Sequence, residues 1–247
     1  MKPGLTLLPM AFLLATAAAA SPVLPAFDPA NFPTDAAITH TYFPLKAGYL
    51  REYSGMVKDE AGDPTTERTV MQYDGPGPVI AGVATVVMSD QAFVGDLNIE
   101  RTKDYYAQDK DGNVWYMGED VQNIHHDTDD KISGTDTKGT WRAGVNGALP
   151  GYQMAADPKP GFAYEQEHSP ADKAMDIAEI MAVDATQDGK LGPYANVIKV
   201  YETSSIETDL REIKYYAPGV GLIGEDEAVD LNRENPEAHF DLIRMEN

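Results

Sequence analysis

The stretch that decides the fold is IERTKDYYAQ (residues 99–108), followed by DKDGN (residues 109–113) and VWYM (residues 114–117). Two runs rich in aromatic and apolar residues are separated by a short polar segment that contains Asp-Gly. Asp-Gly between such runs is a strong hairpin signal, because both residues tolerate the positive φ angles of tight hairpin turns. The sequence therefore predicts an antiparallel pair of strands at the centre of the chain.

Further strand-like runs lie on both sides of this hairpin. They cover residues 49–57, 66–73, 79–88, 162–168, 196–203, 212–216, 219–223 and 239–245. Residues 173–183 fit a strand or a helix, and the hairpin that follows favours the strand. Residues 119–139 and 144–161 are predicted to be loops. Nine or ten short strands with turns between neighbours predict a mainly-β fold, a single curved antiparallel sheet (half-barrel), with a sandwich as the alternative.

The first twenty residues predict export. Lys2 precedes an almost wholly apolar stretch, residues 5–20, and small residues offer a cleavage site near Ala20 and Ser21. This is the pattern of a secretory signal peptide, and it is too short for a good membrane span. We therefore expect a signal peptide over residues 1–20, an extended Pro/Ala-rich lead-in over residues 21–47, and an antiparallel β domain over residues 48–247. The mature protein is expected in the periplasm or outside the cell.

The composition narrows the function classes. There are 40 acidic and 19 basic residues, so the net charge is −21, and there is no cysteine. The missing thiols exclude disulfides, thiolate nucleophiles and Cys-ligated zinc. The negative charge disfavours nucleic acids and anionic membrane surfaces and favours cations as partners. Stable membrane insertion is not expected, because no second long apolar run exists.

Several short motifs resemble those of a family of secreted bacterial proteins of unassigned function. They include ERTKD (residues 100–104), GNVWYMGE (residues 112–119), WRAG (residues 141–144) and KYYAPGVG (residues 214–221). The last motif is also distantly similar to the final strand pair of curved-sheet folds related to lipoprotein carriers. The resemblance implies export and a β architecture, and it brings no reaction with it.

The polar turn of the central hairpin is a candidate site for calcium or another hard cation. Asp109, Asp111 and Asn113 alternate there, and Glu119 follows. Hard cations take six to eight oxygen ligands, and one turn can supply several of them. The alternative is a hairpin turn in which the Asp and Asn side chains cap the backbone.

A more distributed acidic site is a second possibility. Glu165 and Glu167 share one face of a strand by their spacing of two, because successive side chains of a strand alternate between faces. Glu100, Asp104 and Glu119 lie close to the central hairpin. If the face that carries Glu165 and Glu167 meets the hairpin, several carboxylates converge and raise each other's pKa unless a cation neutralises them. The alternative is that Glu165 and Glu167 point into water. His125 and His126 suggest a further metal site, provided that they lie in a loop.

No catalytic motif accompanies these acidic residues. Gly-x-Ser-x-Gly, His-Glu-x-x-His and a phosphate-binding Gly loop are all missing from the sequence. The sequence therefore favours a non-enzymatic, exported binding domain for a hard cation or a small ligand. Two alternatives remain open: a carrier or chaperone for an apolar envelope molecule, and a carboxylate-dependent hydrolase.

Overall fold

The computed structural model describes residues 21–59 and 61–246. The predicted signal peptide, residues 1–20, lies outside the described residues. Within those two ranges there is one short 3-10 helix, Pro29–Asn31, and no helix has the length and apolarity needed to cross a membrane.

The described residues form seventeen strands. They are β1 (Ile38–His40), β2 (Phe43–Leu45), β3 (Leu50–Lys58), β4 (Pro64–Ile80), β5 (Val83–Val94), β6 (Leu97–Gln108), β7 (Val114–His126), β8 (Ile132–Asp136), β9 (Trp141–Arg142), β10 (Leu149–Met154), β11 (Ala163–Glu165), β12 (Glu167–His168), β13 (Asp176–Gly189), β14 (Gly192–Ser204), β15 (Arg211–Ala217), β16 (Gly221–Glu227) and β17 (Ala238–Glu246). The predicted central hairpin is confirmed as β6 and β7, and residues 173–183 lie mostly in a strand, β13.

Fifteen of the strands form one sheet. The order along it is β11-β13-β14-β15-β16-β17-β3-β4-β5-β6-β7-β10-β12, and β8 and β9 also pair with β7. All of these pairings are antiparallel, and most neighbours in the sheet are also neighbours in sequence. The predicted curved antiparallel sheet is therefore confirmed, and the described residues do not divide into the two sheets of a sandwich.

The two ends of the sheet meet at a seam formed by residues 163–168. Residues of β11 pair with β13, and two residues later β12 pairs with β10, so the chain crosses from one end of the sheet to the other. Between them, the backbone N–H of Gln166 donates to the carbonyl of Asp176 at 2.8 Å. Gly151 allows this close approach, because a Cβ at that position would collide with the backbone of Glu165 and Gln166. The curved sheet is thereby nearly closed into a barrel.

Alternating side chains divide the core between the two faces of the sheet. Val86 and Met88 belong to a cluster on the inner face, and Val87 belongs to a second cluster. Successive residues of a strand point to opposite faces, so the second cluster lies on the outer face. The inner cluster surrounds the site described below.

The lead-in, residues 21–47, packs against both faces. Phe32 contacts Trp115 of the outer cluster, with ring centroids 5.7 Å apart. The small β1–β2 hairpin buries Ile38 and Leu45 in the inner cluster. Its Thr41 carbonyl accepts a hydrogen bond from Gly219 at 2.7 Å, which ties the hairpin to the rim of the sheet.

Two predicted loops are wrong in part. Residues 119–126 continue β7, and the β8 strand follows within the segment predicted to be a loop. The physical reason is that Val121 and Ile124 are buried three residues apart, while hydrogen bonds to β6 and β8 satisfy the polar backbone. Residues 149–154 likewise form β10 within the second predicted loop. The count of nine or ten strands was too low for these reasons and because several strands are very short.

Candidate functional site: an acidic cavity inside the sheet

A cavity of about 250 Å³ lies on the inner face of the sheet. Seven carboxylates and one lysine line it, together with tyrosine, glutamine and apolar side chains. The charged residues are Asp90, Asp104, Glu119, Glu167, Asp176, Glu202, Lys214 and Glu225. Seven acidic side chains therefore face one space.

The register of the strands directs these acidic side chains to one face of the sheet. Asp104 on β6 lies directly opposite Glu119 on β7, and Lys214 on β15 lies directly opposite Glu225 on β16. Directly opposite residues of an antiparallel pair project from the same face. The seven acidic residues come from seven different strands, β5, β6, β7, β12, β13, β14 and β16. Closure of the sheet at the seam turns this row of carboxylates toward one cavity.

Lys214 neutralises one side of the cavity. Its Nζ lies 2.6 Å from Glu202 Oε2, 3.3 Å from Glu212 Oε2 and 3.9 Å from Glu225 Oε1. Gln166 Nε2 donates to the other oxygen of Glu202 at 3.1 Å. Burial alone would lower the pKa of Lys214, but the three glutamates outweigh it and raise that pKa well above its ordinary value. We call Lys214 with Glu202, Glu212 and Glu225 the lysine side.

The other five carboxylates form what we call the open side: Asp90, Asp104, Glu119, Glu167 and Asp176. Across residues 21–59 and 61–246, no Lys, Arg or His forms an ion pair with any of them. This side therefore concentrates negative charge that the protein itself does not balance.

Burial, and after it neighbouring carboxylates, raise the pKa values of the acidic groups on the open side. Burial, with a smaller contribution from the neighbouring Glu100, raises the pKa of Asp104 to about 7, although the Tyr116 hydroxyl partly offsets this by donating to it at 2.7 Å. Burial and then the Asp104 charge raise the pKa of Glu119 to about 8. Burial and then Glu202 raise the pKa of Asp176 to about 6. Several of these groups are thus partly protonated at neutral pH.

Glu167 carries an unsatisfied oxygen at this cavity. The residue is only 6% exposed, and its Oε2 forms no hydrogen bond with any described part of the chain. Burial, followed by Asp176 and Glu119, raises its pKa well above the usual value, and the hydrogen-bonding interaction of the Trp141 indole with this carboxylate lowers the pKa only in part. That interaction falls short of a complete hydrogen bond, and the indole Nε1 completes none within the described residues. Buried polar atoms normally have partners, so an orphan of this kind needs an explanation.

Tyrosine rings form part of the same wall. Tyr106 and Tyr116 are stacked, with centroids 5.1 Å apart and an interplanar angle of 20°. Phe43 of the lead-in packs edge-on against Tyr106 at 4.9 Å. Burial and the nearby carboxylates raise the pKa of both tyrosines well above the ordinary value, so both rings stay neutral. Aromatic faces next to carboxylates suit a positively charged organic group.

The hairpin residues predicted as cation ligands lie elsewhere. Asp109 is buried and accepts hydrogen bonds from the backbone of Asp111 and Asn113 and, at 2.8 Å, from Trp115 Nε1. Asp111 accepts from Asn31 Nδ2 at 2.8 Å. None of the three hairpin residues lines the acidic cavity. This geometry matches the turn-capping alternative, and cation binding by Asp109, Asp111 and Asn113 stays a prediction.

The structure separates the other predicted ligands. Glu119 and Glu167 both line the cavity, but Glu165 does not. Glu165 instead lies 2.5 Å from His168 Nδ1. The prediction that the two glutamates share one face is wrong. Glu165 pairs with β13 and Glu167 pairs with β10, so the strand is interrupted between them.

Sequence reasoning missed Asp90, Asp176, Glu202, Lys214 and Glu225. One signal was available at Glu202, which stands in phase with Ile198 and Val200, both of which are buried. A charged residue in phase with core residues marks a charge inside the sheet. The same signal was available at Asp90, in phase with Val86 and Met88, and at Asp176, in phase with Ala178 and Ile180.

The described residues contain no compact metal site. No three His, Asp or Glu side chains within the described ranges are grouped closely enough to hold a metal ion. His125 and His126 lie on β7 rather than in a loop, so their side chains point to opposite faces, and His125 Nε2 lies 2.8 Å from Asp136 Oδ2. The condition for a joint histidine site is therefore not met.

Comparison with known proteins adds two structural likenesses. No protein-family model matches the chain, and no curated protein matches its sequence. A crystal structure of a protein from Bacteroides fragilis, described as exported with a YmcC-like fold, aligns with a TM-score of 0.43 and 13% identity over 85% of this chain and 100% of that one. A protein from Parabacteroides distasonis, described as a lipoprotein, aligns with a TM-score of 0.39 and 12% identity over 85% of this chain and 99% of that one. The family resemblance drawn from the short motifs stays a prediction.

Proposed function

We propose that this protein is an exported binding protein whose acidic cavity holds a small, positively charged ligand. The observation that carries the proposal is the Oε2 atom of Glu167, a buried acceptor on a residue that lines the cavity, which forms no hydrogen bond within the described residues. A ligand with a cationic N–H donor would satisfy that oxygen. Export rests on the signal-peptide pattern of residues 1–20.

Electrostatics favour this choice of ligand. At an effective dielectric constant of about 20, two unit charges about 4 Å apart interact by roughly 4 kcal/mol. A cation beside Asp104 and Glu119 would be attracted to each carboxylate that is ionised and would favour release of the protons that this pair holds at neutral pH. An anion would be repelled by the ionised carboxylates, and an apolar guest would gain no attraction from them. The lining thus supports a cation over an apolar envelope molecule.

Carboxylate-dependent hydrolysis is the second candidate. Asp104 and Glu119 have pKa values of about 7 and 8, in the range of a general acid at neutral pH. However, they are cross-strand neighbours on one wall. Hydrolysis of a glycoside would need a second carboxylate across the substrate, and Glu167 is the residue available for that role.

The test of the proposed function is a thermal-shift titration of the mature wild-type protein with simple cations at constant ionic strength. The probes are calcium, tetramethylammonium, butylamine and 1,4-diaminobutane, with glycerol as a neutral control. We expect at least one cation to raise the Tm in a saturable manner, as mass action requires. Glu167→Gln should weaken the shift, and the exposed Glu207→Gln should not. If no cation at millimolar concentration moves the wild-type Tm, the proposal is wrong.

A further inference from the structure

The open side is spread out rather than compact. Asp90, Asp104 and Glu119 lie on the consecutive strands β5, β6 and β7, and Glu167 lies two strands further along the sheet, on β12. Neighbouring strands are about 4.8 Å apart, so adjacent carboxylates of the row start from backbones separated by about that distance. A single metal ion gathers its oxygens at about 2.5 Å, and no described group of three acidic or histidine side chains is tight enough for that.

The spaces between the charges are apolar or aromatic. Phe43, Met71, Met88 and Leu222 line the cavity beside the carboxylates, as do the stacked Tyr106 and Tyr116. A ligand that matches this wall has positive groups separated by short apolar segments. In an extended 1,4-diaminobutane, five bonds of about 1.5 Å place the two nitrogens about 6 Å apart, close to the strand spacing.

The lysine side already shows carboxylates of this cavity holding an alkylammonium group. Lys214 is a four-carbon alkylammonium, and its Nζ is held by Glu202 at 2.6 Å with Glu212 and Glu225 nearby. The open side offers a comparable set of carboxylates without an ammonium of its own, and Glu167 Oε2 is left without a donor within the described chain.

We infer that the ligand of this cavity is a linear alkyl diamine or polyamine, with one ammonium between Glu167 and Glu119 and a second near Asp104 and Asp90. This inference rests on the proposed function, because it names the class of cation that the acidic cavity takes. The two ammonium groups bind these two pairs of carboxylates, and the methylene chain lies against the rings of Tyr106 and Tyr116. A monoamine of the same length binds only one of the two pairs.

The experiment is isothermal titration calorimetry of the mature wild-type protein with three matched probes: 1,4-diaminobutane, butylamine and 4-amino-1-butanol. These share a four-carbon chain and differ in the second end group. We expect the diamine to bind at least about tenfold more tightly than either monoamine, a ratio that corresponds to one further ionic contact. Glu167→Gln and Glu119→Gln should each reduce the affinity for the diamine about tenfold or more and should reduce the ratio of diamine affinity to monoamine affinity. Glu207→Gln should leave the diamine affinity and that ratio unchanged.

The outcomes separate the inference from the proposed function. If calcium or butylamine binds as tightly as the diamine, the diamine inference is wrong and the cation-binding function stands. If the diamine binds best but both glutamine variants retain full affinity, its site is not this cavity and the inference is again wrong. If no cation binds, both fail. Circular dichroism and the Tm of each variant establish that it is folded before it is titrated.

Discussion

Asp104 and Glu119 occupy directly opposed positions on β6 and β7 and project into the same cavity. No cation of the described chain pairs with either side chain. Burial raises the pKa of Asp104 to about 7 and that of Glu119 to about 8, against ordinary values of 3.8 and 4.5. The folded protein therefore holds protons at this pair that the unfolded chain releases near pH 4.

This pair gives a prediction for stability against pH. A group whose pKa is raised on folding stabilises the protein below its unfolded value, and that contribution is lost as the pH rises through the folded value. The relevant window thus runs from about pH 4 to pH 8. Asp176, with a pKa of about 6, and Glu227, with one of about 7, act in the same direction. We expect the ligand-free Tm to be at least about 5 °C lower at pH 8.5 than at pH 5.5.

Differential scanning calorimetry at matched ionic strength checks this prediction. Glu119→Gln should flatten the dependence, because glutamine cannot ionise, and Glu207→Gln should reproduce the wild-type profile. A Tm that rises from pH 5.5 to pH 8.5 would show that the buried carboxylates do not dominate the titration.

Lys214 should be a strong stabilising residue. Lys214→Met removes the one ammonium bonded to Glu202, Glu212 and Glu225, and it leaves charges uncompensated in a partly buried site. We expect the free energy of unfolding to fall by about 3 kcal/mol at pH 8. The loss should be smaller at pH 5, because burial raises the pKa of Glu225 well above its ordinary value and that group can take up a proton instead. Urea denaturation at the two pH values measures both quantities.

Lys46→Met is the matched control, since Lys46 is exposed and outside the cavity. It should change stability by less than about 0.5 kcal/mol. Equal losses for the two variants would contradict the role given to Lys214.

Two substitutions in the central hairpin distinguish a structural turn from a cation-binding site. Asp109→Ala removes the acceptor of Trp115 Nε1 and of the turn backbone, so we expect a loss of about 2–4 kcal/mol. Asp111→Ala loses one exposed hydrogen bond to Asn31 and should cost less than about 1 kcal/mol. Both differences should be the same with and without calcium. If calcium stabilises the wild type and Asp109→Ala abolishes that effect, the hairpin is the hard-cation site expected from the sequence.

The seam depends on the absence of a side chain at position 151. Gly151→Ala places a Cβ against the carbonyl oxygen of Glu165, a backbone atom that cannot move aside without separating β10 from β11. We expect a loss of about 3 kcal/mol or more in chemical denaturation. Gly134→Ala is the control, because a Cβ there meets nothing within 4 Å. A Gly151→Ala protein as stable as Gly134→Ala would mean that the seam is not closely packed.

Local sequence patterns were sufficient to predict most of the strands. The Asp-Gly turn between residues 99–108 and 114–117 is a contiguous signal, and the β6–β7 hairpin follows it. The continuation of β7 through residues 119–126 was missed, because that stretch is polar and gains its order from pairing with β6 and β8. Pairing of that kind depends on a second segment, which a local pattern does not contain.

The candidate site was predictable only in part, for a related reason. Glu119 and Glu167 could be singled out as acidic residues near strands, and the chance of convergence with Asp104 could be stated as a condition. Asp176 and Asp90 could not be brought into the same space, because they lie on strands separated by most of the sheet order. Only closure at Gln166 makes them line one cavity.

The amino-acid sequence by itself determined the β class, the central hairpin and the surplus of negative charge, because alternation, turn chemistry and composition act over short distances along the chain. Tertiary structure alone decided which carboxylates are inside. The phase of a strand selects a face of the sheet, but whether that face meets water or other carboxylates depends on the curvature that joins β12 to β13, a contact between chain segments that no local pattern encodes.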